Sequence, residues 1–234
     1  MQIASGTSLL AAVGLWLVTP LTLAAQCDAQ WLTPGGVPGT NGRVRCLAYW
    51  DPDGPGPRGL CPVVGGQFKL AGDSAALGVA IWEDGAWHAL GAGLTGDIYA
   101  LVVMPNNELV AGGYVTVGSS RGVARFDGTA WQPMGGGVGS STDNVRCLCV
   151  QPDGTLVAGG DFSGKLNIAK WNGATWDQIG AGVNSAVYGC AYVEGYGLII
   201  GGGFATSGGA PVSRVARWTG AVWEQLAQAC RDKW

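Results

Sequence analysis

The sequence is poor in charged residues, and their distribution argues against two classes of partner. Asp, Glu, Lys and Arg make up 12% of the 234 residues, and the formal net charge is −3. Average proteins carry about twice that charged fraction. The basic residues are scattered singly. Nucleic-acid-binding proteins usually carry a basic patch and membrane-surface proteins a polybasic run, so we expect no nucleic-acid partner and no membrane partner after removal of a leader segment.

Histidine is nearly absent, which limits catalytic and metal chemistry. His88 is the only histidine, and the seven cysteines show no C-x-x-C spacing. A nucleophilic triad needs a base, and structural zinc sites are built from closely spaced Cys and His. Most of the acids fall in turns, where an Asp side chain stabilises its own backbone. The sequence therefore predicts no metal site, no cofactor and no catalytic residue.

No stretch combines the length and the period of an amphipathic helix, so helical solenoids are excluded. Glycine is abundant instead, with 42 of 234 residues, which is well over twice the average usage of about 7%. The glycines lack the three-residue period of collagen, and a hydrophobic content of 47% argues against disorder. Aromatic and β-branched residues between glycine clusters predict an all-β protein with many turns.

Four segments repeat one pattern, an apolar run that ends in a glycine pair. The pairs begin at Gly65, Gly112, Gly159 and Gly201, in steps of 47, 47 and 42 residues. Each pair is followed by two aromatics five positions apart: Trp82 and Trp87, Phe126 and Trp131, Trp171 and Trp176, Trp218 and Trp223. A period of this size indicates a stacked or circular array, because one unit cannot bury its own apolar faces.

Each repeat contains four short strand candidates. In the third repeat, strands are predicted over 145–150, 155–158, 166–171 and 176–179. The first two are joined by a Pro-Asp-Gly turn and the last two by Asn172-Gly173, a signal for a type I′ hairpin. Four antiparallel strands in a unit of this length are typical of a β-propeller blade.

The four repeats together predict where the blades begin and what lies between them. The first strands are expected to begin near Val44, Ile98, Val145 and Val187. Tryptophans that recur at one blade position, such as Trp131 and Trp176, are expected to be buried at blade contacts rather than to form a ligand platform.

The pattern Val157-Ala158-Gly159-Gly160-Asp161-Phe162, followed by Trp171 and Trp176, resembles a kelch-type blade. It is more closely similar to the Gly-Gly-x-Phe repeats of secreted bacterial β-propeller proteins, and the resemblance covers about residues 31–226. It implies an all-β fold, a β-propeller of four kelch-like four-stranded blades in a closed ring or an open arc. Propellers of this kind usually hold partners on a loop face, and a minority are enzymes.

The chain divides into four predicted parts. Residues 1–25 carry an apolar run and Leu23-Ala24-Ala25, typical of a secretory signal peptide cleaved near Ala25. Residues 26–43 form an N-terminal segment with a candidate closing strand at Trp31, residues 44–226 the propeller, and residues 227–234 a C-terminal tail. The leader predicts a secreted or periplasmic protein.

Three functions remain open at this point. The first is a secreted, non-catalytic binding or scaffold module with a protein or carbohydrate partner, and therefore not an enzyme. The second is a propeller enzyme acting on polysaccharide, and the third is a fragment of a longer propeller. By strand direction, the loops after the second and fourth strands share one face of the propeller. The candidate binding residues on that face are Asp73, Asp97, Arg121, Asp143, Asn144, Asp161 and Lys165.

Ring closure is the last prediction, and two features of the sequence bear on it. Trp31 and its neighbours can add a strand to the blade that contains Trp223. Cys27 and Cys230 flank the repeats, and a closed ring would bring them together as a candidate disulfide. We hypothesise a closed ring whose ends meet between the first and last blades, with an open arc as the alternative.

Overall fold

The computed structural model describes residues 39–140 and 142–226, and strands and turns account for nearly all of them. One 3-10 turn, Ser163–Lys165, lies between strands, and Leu226 is helical at the end of the described residues. Four four-stranded antiparallel sheets follow one another along the chain. The predicted all-β fold of four four-stranded blades is confirmed.

Each blade is a run of four strands paired in chain order. Blade 1 comprises Arg43–Trp50, Cys61–Gln67, Val79–Glu83 and Ala86–Ala89; blade 2 comprises Ile98–Val103, Leu109–Val117, Ser120–Phe126 and Trp131–Pro133; blade 3 comprises Asn144–Val150, Leu156–Asp161, Ile168–Trp171 and Trp176–Gln178; blade 4 comprises Val187–Val193, Gly197–Gly202, Val215–Trp218 and Trp223–Gln225. Small hairpins pair Leu70–Ala71 with Ser74–Ala75 and Thr206–Ser207 with Ala210–Pro211. All four first strands begin within one residue of the predicted positions.

Three of the four hydrophobic core clusters lie between blades, and the fourth lies within blade 1 around Val64, Phe68 and Ala80. One cluster joins blades 1 and 2, a second joins blades 2 and 3, and a third joins blades 3 and 4. Trp131 and Trp176 are 9% and 2% exposed in two of these clusters. This confirms the prediction for Trp131 and Trp176. Trp223 is buried in the same way at 4% exposed, whereas Trp87 is only half-buried. Trp50, which lies outside the repeat, is also buried, and its indole N–H donates to the carbonyl of Asn107 at 2.8 Å.

The neighbouring blade explains why the first residue of the glycine pair has no side chain. A Cβ at Gly112 would lie 2.7 Å from Cγ1 of Val145, and one at Gly159 would lie 2.7 Å from Cγ1 of Val187. Val145 and Val187 lie at the beginning of the first strand of the following blade. The first glycine of these pairs therefore leaves room for the next blade, whereas Gly201 has no such neighbour.

The outer hairpins do not share one turn, because blade 1 has a two-residue loop between its third and fourth strands and the other three blades have four residues there. In blade 1, Asp84 and Gly85 form a two-residue loop with φ of 51° and 78°, as a type I′ turn requires. In blade 3 the loop has four residues, and Asn172 Oδ1 accepts from the backbone N–H of Ala174 at 2.9 Å and of Thr175 at 2.8 Å. The type I′ prediction for Asn172-Gly173 is wrong, because the Asn side chain closes a wider turn.

The third strand of blade 3 begins two residues later than predicted. Leu166 and Asn167 have φ of 46° and 69°, which breaks the extended conformation. Asn167 Oδ1 accepts from the backbone N–H of Phe162 at 3.0 Å, and its Nδ2 donates to the carbonyl of Val183 at 2.9 Å. The strand therefore starts at Ile168, after a turn that the Asn side chain holds.

No closed ring is found among the described residues. On blade 1, Val44 and Leu47 are 47% and 55% exposed, whereas the equivalent Val145 of blade 3 is fully buried. The signal segment 1–25, the closing strand at Trp31, the tail 227–234 and the Cys27–Cys230 disulfide lie outside the described residues. They stay predictions.

Candidate functional site

The first strand of every blade carries a bulge at the same position. Pairing with the second strand skips one residue between Val44 and Cys46, Ile98 and Ala100, Val145 and Cys147, and Val187 and Gly189. The skipped residues are Arg45, Tyr99, Arg146 and Tyr188. A bulge leaves its extra residue unpaired and re-aims its side chain. Because the first strands of successive blades contact one another, the four re-aimed side chains come together.

These four side chains form an alternating ladder of cations and aromatic rings, which we call the axial ladder. The Arg45 guanidinium lies 4.8 Å from the ring centroid of Tyr99. The Arg146 guanidinium lies 5.5 Å from the same ring and 5.4 Å from the ring of Tyr188. All three separations are within the range of cation–π attraction, so the rings hold the guanidinium groups in order.

The two arginines of the ladder differ in their counter-ions. Arg45 Nη2 lies 3.0 Å from Asp97 Oδ2, which also accepts from the Tyr99 hydroxyl at 3.3 Å. Arg146 has no carboxylate partner and no hydrogen bond among the described residues, and its Nε is buried. The ladder thus carries one compensated and one uncompensated positive charge, and Arg146 is its free cation.

A second buried polar atom lies close to Arg146 in the sequence. Asn144 Oδ1 is buried and has no hydrogen-bond partner among the described residues. Asn144 starts the first strand of blade 3, two residues before Arg146. Buried polar atoms are nearly always hydrogen-bonded, and an orphan in a native structure needs an explanation. A donor and an acceptor without partners at one strand end are what a polar ligand would satisfy.

A cleft of about 410 Å³ adjoins the ladder between blades 1 and 2. Asn41, Lys69 and Asp97 supply its polar lining, and Phe68, Leu77 and Leu94 its apolar lining. Asn41 Oδ1 already accepts from the backbone N–H of Lys69 at 2.9 Å, so that loop is fixed. Asp97 lines the cleft and also contacts Arg45 and Tyr99 of the ladder, so it links the two.

The structure brings Asp97 and Asn144, two of the predicted binding residues, to the ladder end of the first strands. Asp97 contacts the ladder directly, and Asn144 lies at the start of the strand that carries Arg146. Asp143 precedes Asn144, but its Oδ2 accepts from the backbone N–H of Ser140 at 2.8 Å. Its role in the structure is to hold the loop before blade 3.

The other four predicted residues take no part in the ladder's recorded contacts. Arg121 Nη1 donates to the carbonyls of Gly118 at 3.1 Å and Ser120 at 3.3 Å, within its own hairpin. Asp73 and Asp161 are exposed, and Lys165 ends the 3-10 turn of blade 3. Asp73 and Lys165 lie in turns, whereas Arg121 and Asp161 lie at strand ends. Their part in binding stays a prediction.

Sequence reasoning did not identify the ladder residues. Each ladder residue directly follows the position at which the sequence predicts the first strand to begin. These positions are Val44, Ile98, Val145 and Val187. Tyr99, Arg146 and Tyr188 lie 13 positions before the first glycine of their pairs, and Arg45 lies 20 before Gly65. Once a gap is placed in the longer turn after Trp50, the four repeats have Arg, Tyr, Arg and Tyr in one column. That alternation is the signal in the sequence, although the bulge that re-aims the column is visible only in the strand register.

Three thiols meet where blades 3 and 4 pack. Cys147 and Cys149 belong to blade 3 and Cys190 to blade 4, and all three are free. A hydrogen bond from Cys190 lowers the pKa of Cys149, although burial opposes it. The same contacts with Cys147 and Cys149, together with burial, raise the pKa of Cys190 well above its ordinary value. The three thiols therefore lie close together inside the interface between blades 3 and 4.

Further observations on the described residues concern the lone histidine, metal-ligating side chains and membrane-spanning helices. His88 is exposed on the fourth strand of blade 1. Residues 39–140 and 142–226 contain no group of three or more Cys, His, Asp or Glu side chains that could hold a metal ion. They also form no helix with the length and apolar character that crossing a membrane requires.

Four successive four-stranded antiparallel sheets, packed through their first strands, define this chain as a β-propeller. The family model for the Rax2 C-terminal beta propeller domain matches residues 62–194. The match covers more than half of the chain, and the chain belongs to this family. It runs from the second strand of blade 1 to the end of the first strand of blade 4. No curated protein matches the chain significantly.

Proposed function

We propose that this protein is an exported, non-catalytic binding module of the kelch-like kind, and that the axial ladder is its binding site. The observation that carries the proposal is Arg146, whose guanidinium lies between two tyrosine rings without a carboxylate partner. A cation held in this way favours a ligand that brings an anionic group. The leader-like residues 1–25 support export, because they resemble a secretory signal.

The partner class we propose is an acidic polysaccharide. A carboxylate that reaches Arg146 would form a charge-assisted hydrogen bond, the stronger kind. Tyr188 is 59% exposed and offers an aromatic face beside the cation, which suits a sugar ring. The cleft lined by Asn41, Lys69 and Asp97 gives neighbouring sugar hydroxyls both donors and acceptors.

A non-catalytic role is favoured by the state of the acids near the ladder. Asp97 is engaged by Arg45 and Tyr99, and Asp143 by the backbone of its own loop. Glycoside hydrolysis needs two carboxyl groups that face one bond, one of them with a raised pKa. Asp97 and Asp143 therefore serve structural contacts instead.

Calorimetric titration of the exported protein with oligogalacturonate, and with a neutral oligosaccharide of equal length, tests the proposal. We expect binding of the acidic oligosaccharide only, and at least about tenfold weaker binding after Arg146→Gln, since a charged hydrogen bond contributes about 1.5–3 kcal/mol. Arg58→Gln is the matched control, because Arg58 pairs with Glu83 at 3.2 Å away from the ladder.

Two results would overturn the proposal. One is equal affinity of the Arg146→Gln and wild-type proteins for the acidic oligosaccharide. The other is selective binding of an acidic peptide, which would assign the ladder to a protein partner. Release of reducing ends from the oligosaccharide during the titration would favour an enzyme.

A further inference from the structure

The contact between neighbouring blades is built three times from the same parts. Each blade has a leading face, which meets the preceding blade, and a trailing face, which meets the following one. The leading face supplies a fully buried residue at the start of the first strand: Ile98, Val145 or Val187. The trailing face supplies a fully buried third-strand residue that pairs with the first glycine of the glycine pair: Val79, Val123 or Ile168.

A hydrogen bond between fixed positions crosses each of these contacts. The indole N–H of the fourth-strand Trp on the leading face donates to a carbonyl on the trailing face, three residues after the preceding blade's own fourth-strand Trp. The three pairs are Trp131 with Leu90 at 3.0 Å, Trp176 with Met134 at 3.2 Å and Trp223 with Ile179 at 3.0 Å. The interface is thus specific in polar as well as apolar contacts.

The leading face of blade 1 has no blade against it among the described residues, and its inner part is exposed. Its outer part is covered, because Val64 and Ala80 are 6% and 0% exposed in a cluster with Phe68 and the small hairpin. Val44, Leu47 and Tyr49 are 47%, 55% and 60% exposed. Trp87, the fourth-strand Trp of blade 1, is only half-buried. Its indole finds no acceptor within 39–140 and 142–226, unlike the other three tryptophans of its column.

The trailing face of blade 4 is open in the complementary way. Val215, which corresponds to Val79, Val123 and Ile168, is 40% exposed. Gly201 has only the carbonyl of Arg214 near the position of a Cβ, at 3.8 Å, whereas the equivalent Gly159 is covered by Val187. Leu226 lies three residues after Trp223, at the position whose carbonyl accepts in the other three contacts. Its backbone is helical, whereas Leu90, Met134 and Ile179 lie in irregular segments. Ala227 follows Leu226 where the connections between blades have Gly91, Gly135 and Gly180, so the correspondence is limited to the strand faces and the chain position of this carbonyl.

The two open faces are the two halves of the interface that the chain already forms three times. We propose that the leading face of blade 1 binds the trailing face of blade 4 of a second copy of this chain. The first strand of blade 1 then packs on the glycine pair of blade 4, and the Trp87 indole donates to the carbonyl of Leu226 of the partner subunit. Exposed apolar sheet faces of this size are typical of interaction surfaces.

Two copies are the stoichiometry that this geometry favours. Each copy offers one leading and one trailing face, so the interface is heterologous, and a ring forms when the rotation closes. Two chains of four blades give eight, which is within the usual range of about four to eight blades, whereas three chains would exceed it. The product is an eight-bladed ring with two identical inter-chain contacts.

Sedimentation of the exported protein at micromolar concentration, with two single-face variants, tests this assembly. We expect wild type at twice the chain mass, and Leu47→Asp and Val215→Asp at the single-chain mass, because each places a charge in one of the apolar contacts. Each variant keeps one intact face. An equimolar mixture should therefore recover a two-chain species through one intact contact. Val222→Asp is the control, since Val222 is 60% exposed in an outer turn and belongs to neither face.

The remaining outcomes decide against the proposal. A single-chain wild-type protein means that the faces are covered within one chain, by ring closure or by residues 1–38. A mixture that stays at the single-chain mass, or larger open assemblies of wild type, excludes the two-chain ring. Each variant must unfold as cooperatively as the wild-type protein. If an Asp variant does not, Leu47→Ser or Val215→Ser replaces it, and the same sedimentation result is expected.

Discussion

The indole N–H of Trp176 donates to the carbonyl of Met134 at 3.2 Å, from the outer strand of blade 3 to the connection that leaves blade 2. The ring also packs against Trp171, with centroids 5.4 Å apart. One side chain thus joins its own hairpin to the preceding blade. Because the chain repeats this contact in two other blades, the blades are held at their outer edges as well as through their first strands.

Replacing Trp176 should separate the apolar and polar parts of this contact. Trp176→Ala should lower the free energy of unfolding by about 3–5 kcal/mol, the range for removing a large buried aromatic. Trp176→Phe should cost less but at least about 1 kcal/mol, because the buried carbonyl of Met134 loses its donor. Urea unfolding followed by tryptophan fluorescence and circular dichroism measures both.

Trp87→Ala is the matched control, since Trp87 occupies the same repeat position but is only half-buried. Measured in the Leu47→Asp background, where no second copy covers blade 1, it should cost clearly less than Trp176→Ala. Equal losses at the two positions would show that the hairpin, and not the blade contact, depends on this residue.

Two glycines at one repeat position should respond differently to a methyl group. A Cβ at Gly159 would lie 2.7 Å from both Cys147 Sγ and Val187 Cγ1, so Gly159→Ala should cost about 1–3 kcal/mol through overpacking. Gly201→Ala meets only ordinary contact, and in the Leu47→Asp background it should change stability by less than about 0.5 kcal/mol. Urea midpoints give the comparison; a loss at Gly201 equal to that at Gly159 would mean that backbone freedom explains the glycine pair.

The blade repeat could be predicted from the sequence because its parts serve packing and therefore recur. Gly159 and Trp176 lie where their counterparts lie in the other blades, and their burial follows from that recurrence. The ladder could not be predicted in the same way. Arg146 looks like any solvated strand residue, and only the skipped pairing between Val145 and Cys147 re-aims it. Its partners Tyr99 and Tyr188 come from other blades, so the site depends on how the blades pack.

The outer turn of blade 2 should make stability depend on acid. Hydrogen bonds from the backbone N–H groups of Ala130 and Thr129, and from the Gln132 side chain, lower the pKa of Asp127 below its usual 3.8. A carboxyl whose pKa is depressed in the folded state stabilises the fold above its unfolded pKa, and this contribution is lost as pH falls through the folded value. The wild-type urea midpoint should therefore fall relative to that of Asp127→Asn below about pH 4.

Blade 3 supplies the matched test of that turn. Asn172 accepts the corresponding two backbone hydrogen bonds without a charge. Asn172→Asp should therefore acquire an acid dependence of the kind that Asp127→Asn loses. Parallel curves of midpoint against pH for wild type and both variants would contradict the assignment of this dependence to the turn carboxyl.

Cys149, between blades 3 and 4, and Cys46, between blades 1 and 2, should be alkylated at different pH values because their surroundings differ. The Cys190 hydrogen bond lowers the pKa of Cys149, whereas burial raises the pKa of Cys46 to about 12. Iodoacetamide reacts with the thiolate, so Cys149 should be modified at a lower pH than Cys46 in the native protein. Cys190→Ala removes the donor and leaves burial, which raises the pKa of Cys149, so its pH profile should shift upward. Peptide mapping by mass spectrometry across pH 7–10 measures both profiles, and an unchanged Cys149 profile in Cys190→Ala would show that Cys190 does not stabilise the thiolate.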